Sequence, residues 1–207
     1  IRSRLIKVIG SMALVSIILI TNIVGAFSAG FRDVKDADWF AGNVFALVEK
    51  GVINGFPVSE TTLYDFKPQD DVKVDAFVKM AVTALGHTSI KNGSGYWAEP
   101  FINKAKELGL VLSGEFVKYD RSITRAEMAR IIVRAINEQY PSNLQEYTKL
   151  IPDYSSIGEQ YKEFVLKAYS KGILTGYTDS TFRGNNTATR AEAATIIMRL
   201  LEPATRI

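Results

Sequence analysis

Ile123-Thr124-Arg125-Ala126-Glu127 decides how this chain is read, because it returns as Ala188-Thr189-Arg190-Ala191-Glu192, 65 positions later. Thr-x-x-Glu ahead of an apolar run is a capping box. The Thr hydroxyl accepts from the N–H three residues on, and the Glu carboxylate reaches back to the Thr N–H. Thr124, Glu127, Thr189 and Glu192 are thereby explained as structural helix caps. The arginine is not. A cation in the first turn opposes the helix macrodipole, so Arg125 and Arg190 need a use outside helix formation.

Working outward, each box opens an amphipathic helix. Met128, Ile131, Ile132 and Ala135 fall on one face, as do Ala193, Ile196, Ile197, Leu200 and Leu201. An earlier segment repeats the stripe with Phe77, Met80, Ala81, Ala84 and Leu85. Such spacing is that of a helix facing a core. Each of these helices follows a second amphipathic run that ends in glycine: Phe40–Val48 before Gly51, Phe101–Leu108 before Gly109, and Tyr161–Ala168 before Gly172. Glycine after a helical run is a stop signal, since it takes the left-handed conformation without a Cβ clash.

The chain therefore predicts an all-α fold of three helix–loop–helix copies, over residues 31–86, 95–139 and 151–203. Units with a period near fifty residues cannot bury their apolar faces alone and must pack on one another. Three similar helices favour a compact bundle in a pseudo-threefold arrangement.

Composition excludes several chemistries. The chain has no cysteine and a single histidine, His87, so disulfides, thiolate sites and His-rich zinc sites are ruled out. No cofactor or metal is implied. The formal charge of +3 is supplied by Arg2, Arg4 and Lys7 in residues 1–28, which contain no acid, and the remainder is neutral. There is no electrostatic case for nucleic acid. The same basic start, the apolar run Val8–Val24 and the small residues Ala26-Phe27-Ser28 have the order of a secretory signal peptide. Residues 1–28 are predicted to be one, cleaved after Ser28 or Ala26. The alternative is a retained anchor, and the only expected membrane contact is through this segment. Absence of cysteine in an exported chain fits a bacterial surface protein.

With the motifs assembled, the sequence resembles three tandem S-layer homology (SLH) domains. Phe31-Arg32-Asp33-Val34 followed by Trp39 is similar to the family's start. Gly176-Tyr177-Thr178-Asp179-Ser180-Thr181-Phe182 is similar to its Gly-Tyr-x-Asp-Gly-Thr-Phe loop, and Thr-Arg-Ala-Glu is its signature. The resemblance implies a single-chain, pseudo-threefold domain with one helix per repeat in a central three-helix bundle and grooves between lobes. It implies non-covalent binding of secondary cell-wall polysaccharide, often through a pyruvylated sugar, and secretion to the cell wall or S-layer, with fused or downstream cargo. This chain departs from the pattern in three places. Lys73-Val74-Asp75-Ala76 puts Val74 where the arginine belongs, copy two lacks the Gly-Tyr loop, and copy three lacks the Trp. The three grooves are therefore not expected to be equivalent.

The resemblance has a physical rationale. A helix N-terminus attracts anions through unpaired N–H groups, and an arginine adds a planar fork that matches a carboxylate. A pyruvyl ketal carries one carboxylate on a neutral sugar. The expected polysaccharide-binding residues are Arg125, Arg190, Trp39, Trp97, Tyr177, Gly176 and Lys73. The indoles and Tyr177 offer flat faces to sugar C–H surfaces. Alternatively, Arg125 and Arg190 pair with an acid across a lobe interface, such as Asp33 or Asp153. No catalytic residue is expected. Glycosidases need two carboxylates at a set separation, whereas Glu127 and Glu192 recur as caps. An S-layer lattice or self-assembly role is the main alternative function.

Overall fold

A computed structural model describes residues 30–207, so the signal-peptide expectation lies outside the described residues. Among the described residues six α-helices carry the fold: α1 Ala41–Glu49, α2 Val74–Ala84, α3 Glu99–Glu107, α4 Arg125–Ala135, α5 Glu159–Ser170 and α6 Arg190–Leu201. The expected all-α class holds. The only strands among the described residues are β1 Phe56–Pro57 and β2 Tyr64–Asp65, paired antiparallel in the insertion of copy one.

Local chemistry sets the helix ends. At α4 the Thr124 hydroxyl accepts from Glu127 N at 3.3 Å, and Glu127 Oε2 accepts from Thr124 N at 2.9 Å. The same pair recurs at α6 between Thr189 and Glu192. Helix α2 starts without a side-chain cap at Lys73. The predicted stops Gly51, Gly109 and Gly172 have φ of 68°, 71° and 63°, the left-handed positions that glycine fills most readily.

The copies interlock. Helix α1 packs on α6, α3 on α2 and α5 on α4, while α2 also touches both α4 and α6. Each first helix thus packs on the second helix of another copy, and the first and last copies close on each other. Asn43 on α1 donates to the Thr195 hydroxyl on α6 at 3.0 Å across this closure. Fully buried Leu47, Phe77, Phe101, Ile132 and Leu166 fill the seams. Each such side chain contributes about 1.5–3 kcal/mol by leaving water.

The helix starts are interlocked as well. The first two N–H groups of α2, Val74 and Asp75, donate to Arg121 O and Tyr119 O. Those of α4, Arg125 and Ala126, donate to Asn186 O and Gly184 O. Those of α6, Arg190 and Ala191, donate to Asp70 O and Pro68 O. In every case the acceptors lie in the segment leading into another of these helices. Short bridges Asp71–Thr189, Lys73–Ser122 and Thr124–Thr187 join the same segments. Donors that a helix normally leaves orphaned here tie the copies together.

Candidate functional site

That tie changes what the helix starts can do. At α4 and α6 the first two N–H groups go to carbonyls and the third goes to the capping Thr. The expected free N–H groups for an anion are therefore already engaged. The arginine side chains remain.

Arg125 is 5% exposed. Its Nε donates to Phe182 O at 2.8 Å and its Nη2 to Thr175 O at 2.7 Å, both in the loop of copy three. The guanidinium lies 4.4 Å from the Tyr177 ring centroid and 5.1 Å from that of Phe182. Arg183 covers Tyr177 as well, at 4.3 Å. Tyr177 donates its hydroxyl to Glu192 Oε1 at 2.9 Å, so one cap carboxylate serves both the helix start and the aromatic wall. These groups face a groove of about 180 Å³ lined by Trp39, Arg125, Gly176, Tyr177, Glu192 and Arg199, among others. Trp39, 66% exposed, stands at this groove with its ring open to solvent.

Arg190 repeats the arrangement one copy on. Its Nε donates to Phe66 O at 2.8 Å, and its guanidinium lies 4.8 Å from both Phe56 and Phe66. The adjoining groove, of about 390 Å³, is lined by Asn54, Gly55, Phe56, Lys79, Trp97 and Arg190, among others. Six of the seven sequence-derived site residues thus fall into two groups: Trp39, Arg125, Gly176 and Tyr177 around one groove, Trp97 and Arg190 around the other. Lys73 is exposed at the start of α2 and lines neither.

The alternative acid pairing is corrected by the geometry. Asp33 accepts from Phe66 N and Lys67 N, both at 2.8 Å. Asp153 accepts from Phe182 N and Arg183 N, both at 2.7 Å. Each carboxylate grips the loop whose Phe carbonyl meets the arginine. Lys67 and Arg183, next in sequence, sit at φ of 60° and 56°. Non-glycine residues rarely take this conformation unaided, and the carboxylate holds it. Acid and arginine are therefore linked through the loop backbone and not by an ion pair.

Burial pulls both guanidinium groups below their ordinary pKa. For Arg125, Tyr177 and Glu192 oppose the shift, and for Arg190, Asp70 and Asp33 oppose it from a distance. Neither guanidinium has a salt bridge to an acid among the described residues, and Arg190 keeps both Nη groups unpartnered there. A desolvated cation of this kind favours a carboxylate. Gly176 serves close approach: a Cβ there would lie 2.9 Å from Ser180 O.

Lys79 was missed by sequence reasoning. It projects from α2 over Trp97 and Phe101, 5.7 and 5.1 Å from their centroids, and burial lowers its pKa. The available signal was a lysine interrupting the apolar pattern Phe77-Val78-x-Met80-Ala81.

The remaining helix start, that of α2 in copy one, meets the segment of copy two differently. Val74, where arginine is absent, is fully buried. Arg130, 7% exposed, enters from within α4 and lies 5.3 Å from Phe116 and 4.8 Å from Tyr161. Its Nη1 is 3.5 Å from Glu115, which in turn is forked by Arg134. The protein's own side chains occupy this aromatic slot.

Residues 30–73 and 150–194 match the family model of the S-layer homology domain. The matches fall within copies one and three and take in the Asp-gripped loop of each. The chain is 34% identical over 184 residues to an endoglucanase of Bacillus sp. (strain KSM-635), covering 83% of this chain and 18% of that protein. It is 34% identical over 111 residues to the middle cell wall protein of Brevibacillus brevis, covering 53% and 10%. It is 35% identical over 113 residues to the surface layer protein of Brevibacillus choshinensis, covering 52% and 10%. The chain thus spans less than a fifth of each relative.

Proposed function

From the premise that S-layer homology matches frame this chain, we propose that it is a non-catalytic anchor that binds acidic secondary cell-wall polysaccharide in its Arg125 and Arg190 grooves. The protein is a secreted, cell-wall-anchored surface protein, in keeping with those matches and with relatives named as cell wall and surface layer proteins. The endoglucanase is matched over only 18% of its length. A stretch common to an enzyme and to surface layer proteins suits attachment better than shared catalysis.

One observation carries the ligand. A guanidinium is held by one backbone carbonyl or two, roofed by aromatics, without an ion pair to an acid among the described residues and set beside an indole, and this occurs at both Arg125 and Arg190. Carbonyl and rings fix each cation in place, so a sugar carboxylate meets a preorganised fork and loses less on binding. A pyruvyl ketal supplies one such carboxylate, and Trp39 or Trp97 covers the apolar sugar face. A pseudo-threefold arrangement of three repeats, 31–86, 95–139 and 151–203, belongs to this proposal. Its support is the recurrence of the two-donor tie at all three helix starts. Cargo fused beyond the repeats is part of the same proposal.

The test is sedimentation with purified cell walls. Binding is expected to walls carrying secondary polymer and to be lost on walls stripped of it. Retention on stripped walls would refute polysaccharide recognition, and release of reducing ends would favour a glycosidase.

A further inference from the structure

The two grooves do not carry the same charge. Around Arg125 the lining side chains are two arginines and one carboxylate: Arg125, Arg199 and Glu192. Around Arg190 they are two cations and no acid: Arg190 and Lys79. The difference arises at matched helix positions. The third residue of α6 is Glu192, and that of α2 is Ala76. Three residues further on stand Thr195 in α6 and Lys79 in α2. The Thr195 hydroxyl is already committed, donating to Ala191 O at 3.1 Å and accepting from Asn43 at 3.0 Å. Lys79 has no salt bridge or hydrogen bond among the described residues, and its ammonium lies against Trp97.

The guanidinium groups differ in the same direction. Arg125 gives two nitrogens to carbonyls, whereas Arg190 gives one. Arg190 thus keeps more of its fork for a ligand, in a groove of about 390 Å³ against about 180 Å³.

We propose that the Arg190 groove is the principal site for the acidic sugar, with Lys79 as its second anion contact, and that the Arg125 groove is the weaker one because it contributes its own carboxylate, Glu192. This rests on the polysaccharide-anchor function proposed above. A ligand stacked on Trp97 would lie beneath the Lys79 ammonium. Its carboxylate would then be shared between a fork and a point charge.

The chain supplies one reporter per groove, since Trp39 and Trp97 are its only tryptophans. Trp39→Phe leaves Trp97 to report on the Arg190 groove, and Trp97→Phe leaves Trp39 to report on the Arg125 groove. Each variant is titrated with a pyruvylated methyl hexoside and with its methyl ester, following tryptophan fluorescence. The acid is expected to half-saturate Trp97 at a concentration about fivefold lower than Trp39, the size of the single charge by which the two linings differ. The ester should erase the gap. Lys79→Thr and Ala76→Glu, each introducing the residue of the other groove, should each narrow it, with circular dichroism confirming the fold. Equal half-saturation, an earlier Trp39 response, or an unchanged gap in Lys79→Thr would overturn the ranking and leave the anchor function standing. Silence of both tryptophans at millimolar sugar would overturn both.

Discussion

Arg125→Ala is expected to destabilise the protein as well as weaken wall binding. The side chain is 5% exposed and makes two charge-assisted bonds, to Phe182 O and Thr175 O. Bonds to a charged group contribute about 1.5–3 kcal/mol each. Removing the guanidinium also removes the desolvation that its burial imposes. The net loss is then about 2–4 kcal/mol. For a chain of this size, each kcal/mol shifts the thermal midpoint by about 2–4 °C, so a fall of about 5–15 °C is expected. Urea unfolding followed by far-ultraviolet circular dichroism measures the loss directly. Arg125→Lys should recover little, because one ammonium cannot span both carbonyls. Arg183→Ala, which removes the exposed partner on the other face of Tyr177, should leave the midpoint unchanged. A wild-type midpoint in Arg125→Ala would refute the claim that this arginine joins copy two to the loop of copy three. Its ligand assay must accordingly be read at matched folded fraction.

Asp153→Ala frees Phe182 N and Arg183 N and should cost about 2–4 kcal/mol; it should also impair the Trp39 response to sugar more than the Trp97 response, with Asp33→Ala reversing the order. Gly176→Ala brings a Cβ to 2.9 Å from Ser180 O and should cost about 1–3 kcal/mol, seen as a lower urea midpoint. Glu138 is held at a pKa of about 2, chiefly by its hydrogen bond from Arg206, with help from Lys171. Its folded pKa lies below its ordinary 4.5, so its contribution is present above about pH 4.5 and is lost as pH falls towards 2. Solvent screening limits that contribution to roughly 1 kcal/mol. Glu138→Gln should flatten the acid limb of the stability profile by this amount, and an unaltered limb would contradict it.

The helices were legible because their signals are local. Thr124 and Glu127 lie three residues apart, and the stripe Met128, Ile131, Ile132 needs only a helical period. Who packs on whom was not legible. A stripe on α1 reads the same whether it meets α2 or α6, since the three second helices share one pattern. The partners of Arg125 and Arg190 were hidden for a different reason. They are backbone carbonyls at Phe182, Thr175 and Phe66, and any residue supplies a carbonyl. In the sequence Asp33 and Asp153 read as acids complementary in charge to the arginines. Their true partners are again backbone groups, and the positive φ of Lys67 and Arg183 has no signature in a lysine or an arginine. Lys79 escaped notice because a single lysine on a helix reads as a solvated side chain. Only the fold places it over Trp97.

The closure of α1 on α6 has a consequence for how the chain is made. Asn43 and Thr195 are 152 residues apart, so a chain synthesised from its N-terminus displays α1 long before its partner exists. Until then the apolar face of Val44 and Leu47 lacks its cover. Loop-closure entropy grows only logarithmically with length, about 0.6 kcal/mol per doubling, so final stability suffers little. The rate is affected more, because such long-range pairings form late. Mutations that weaken the α1–α6 seam should therefore chiefly speed its opening and raise the fraction of time in which a protease or a neighbouring chain can reach α1.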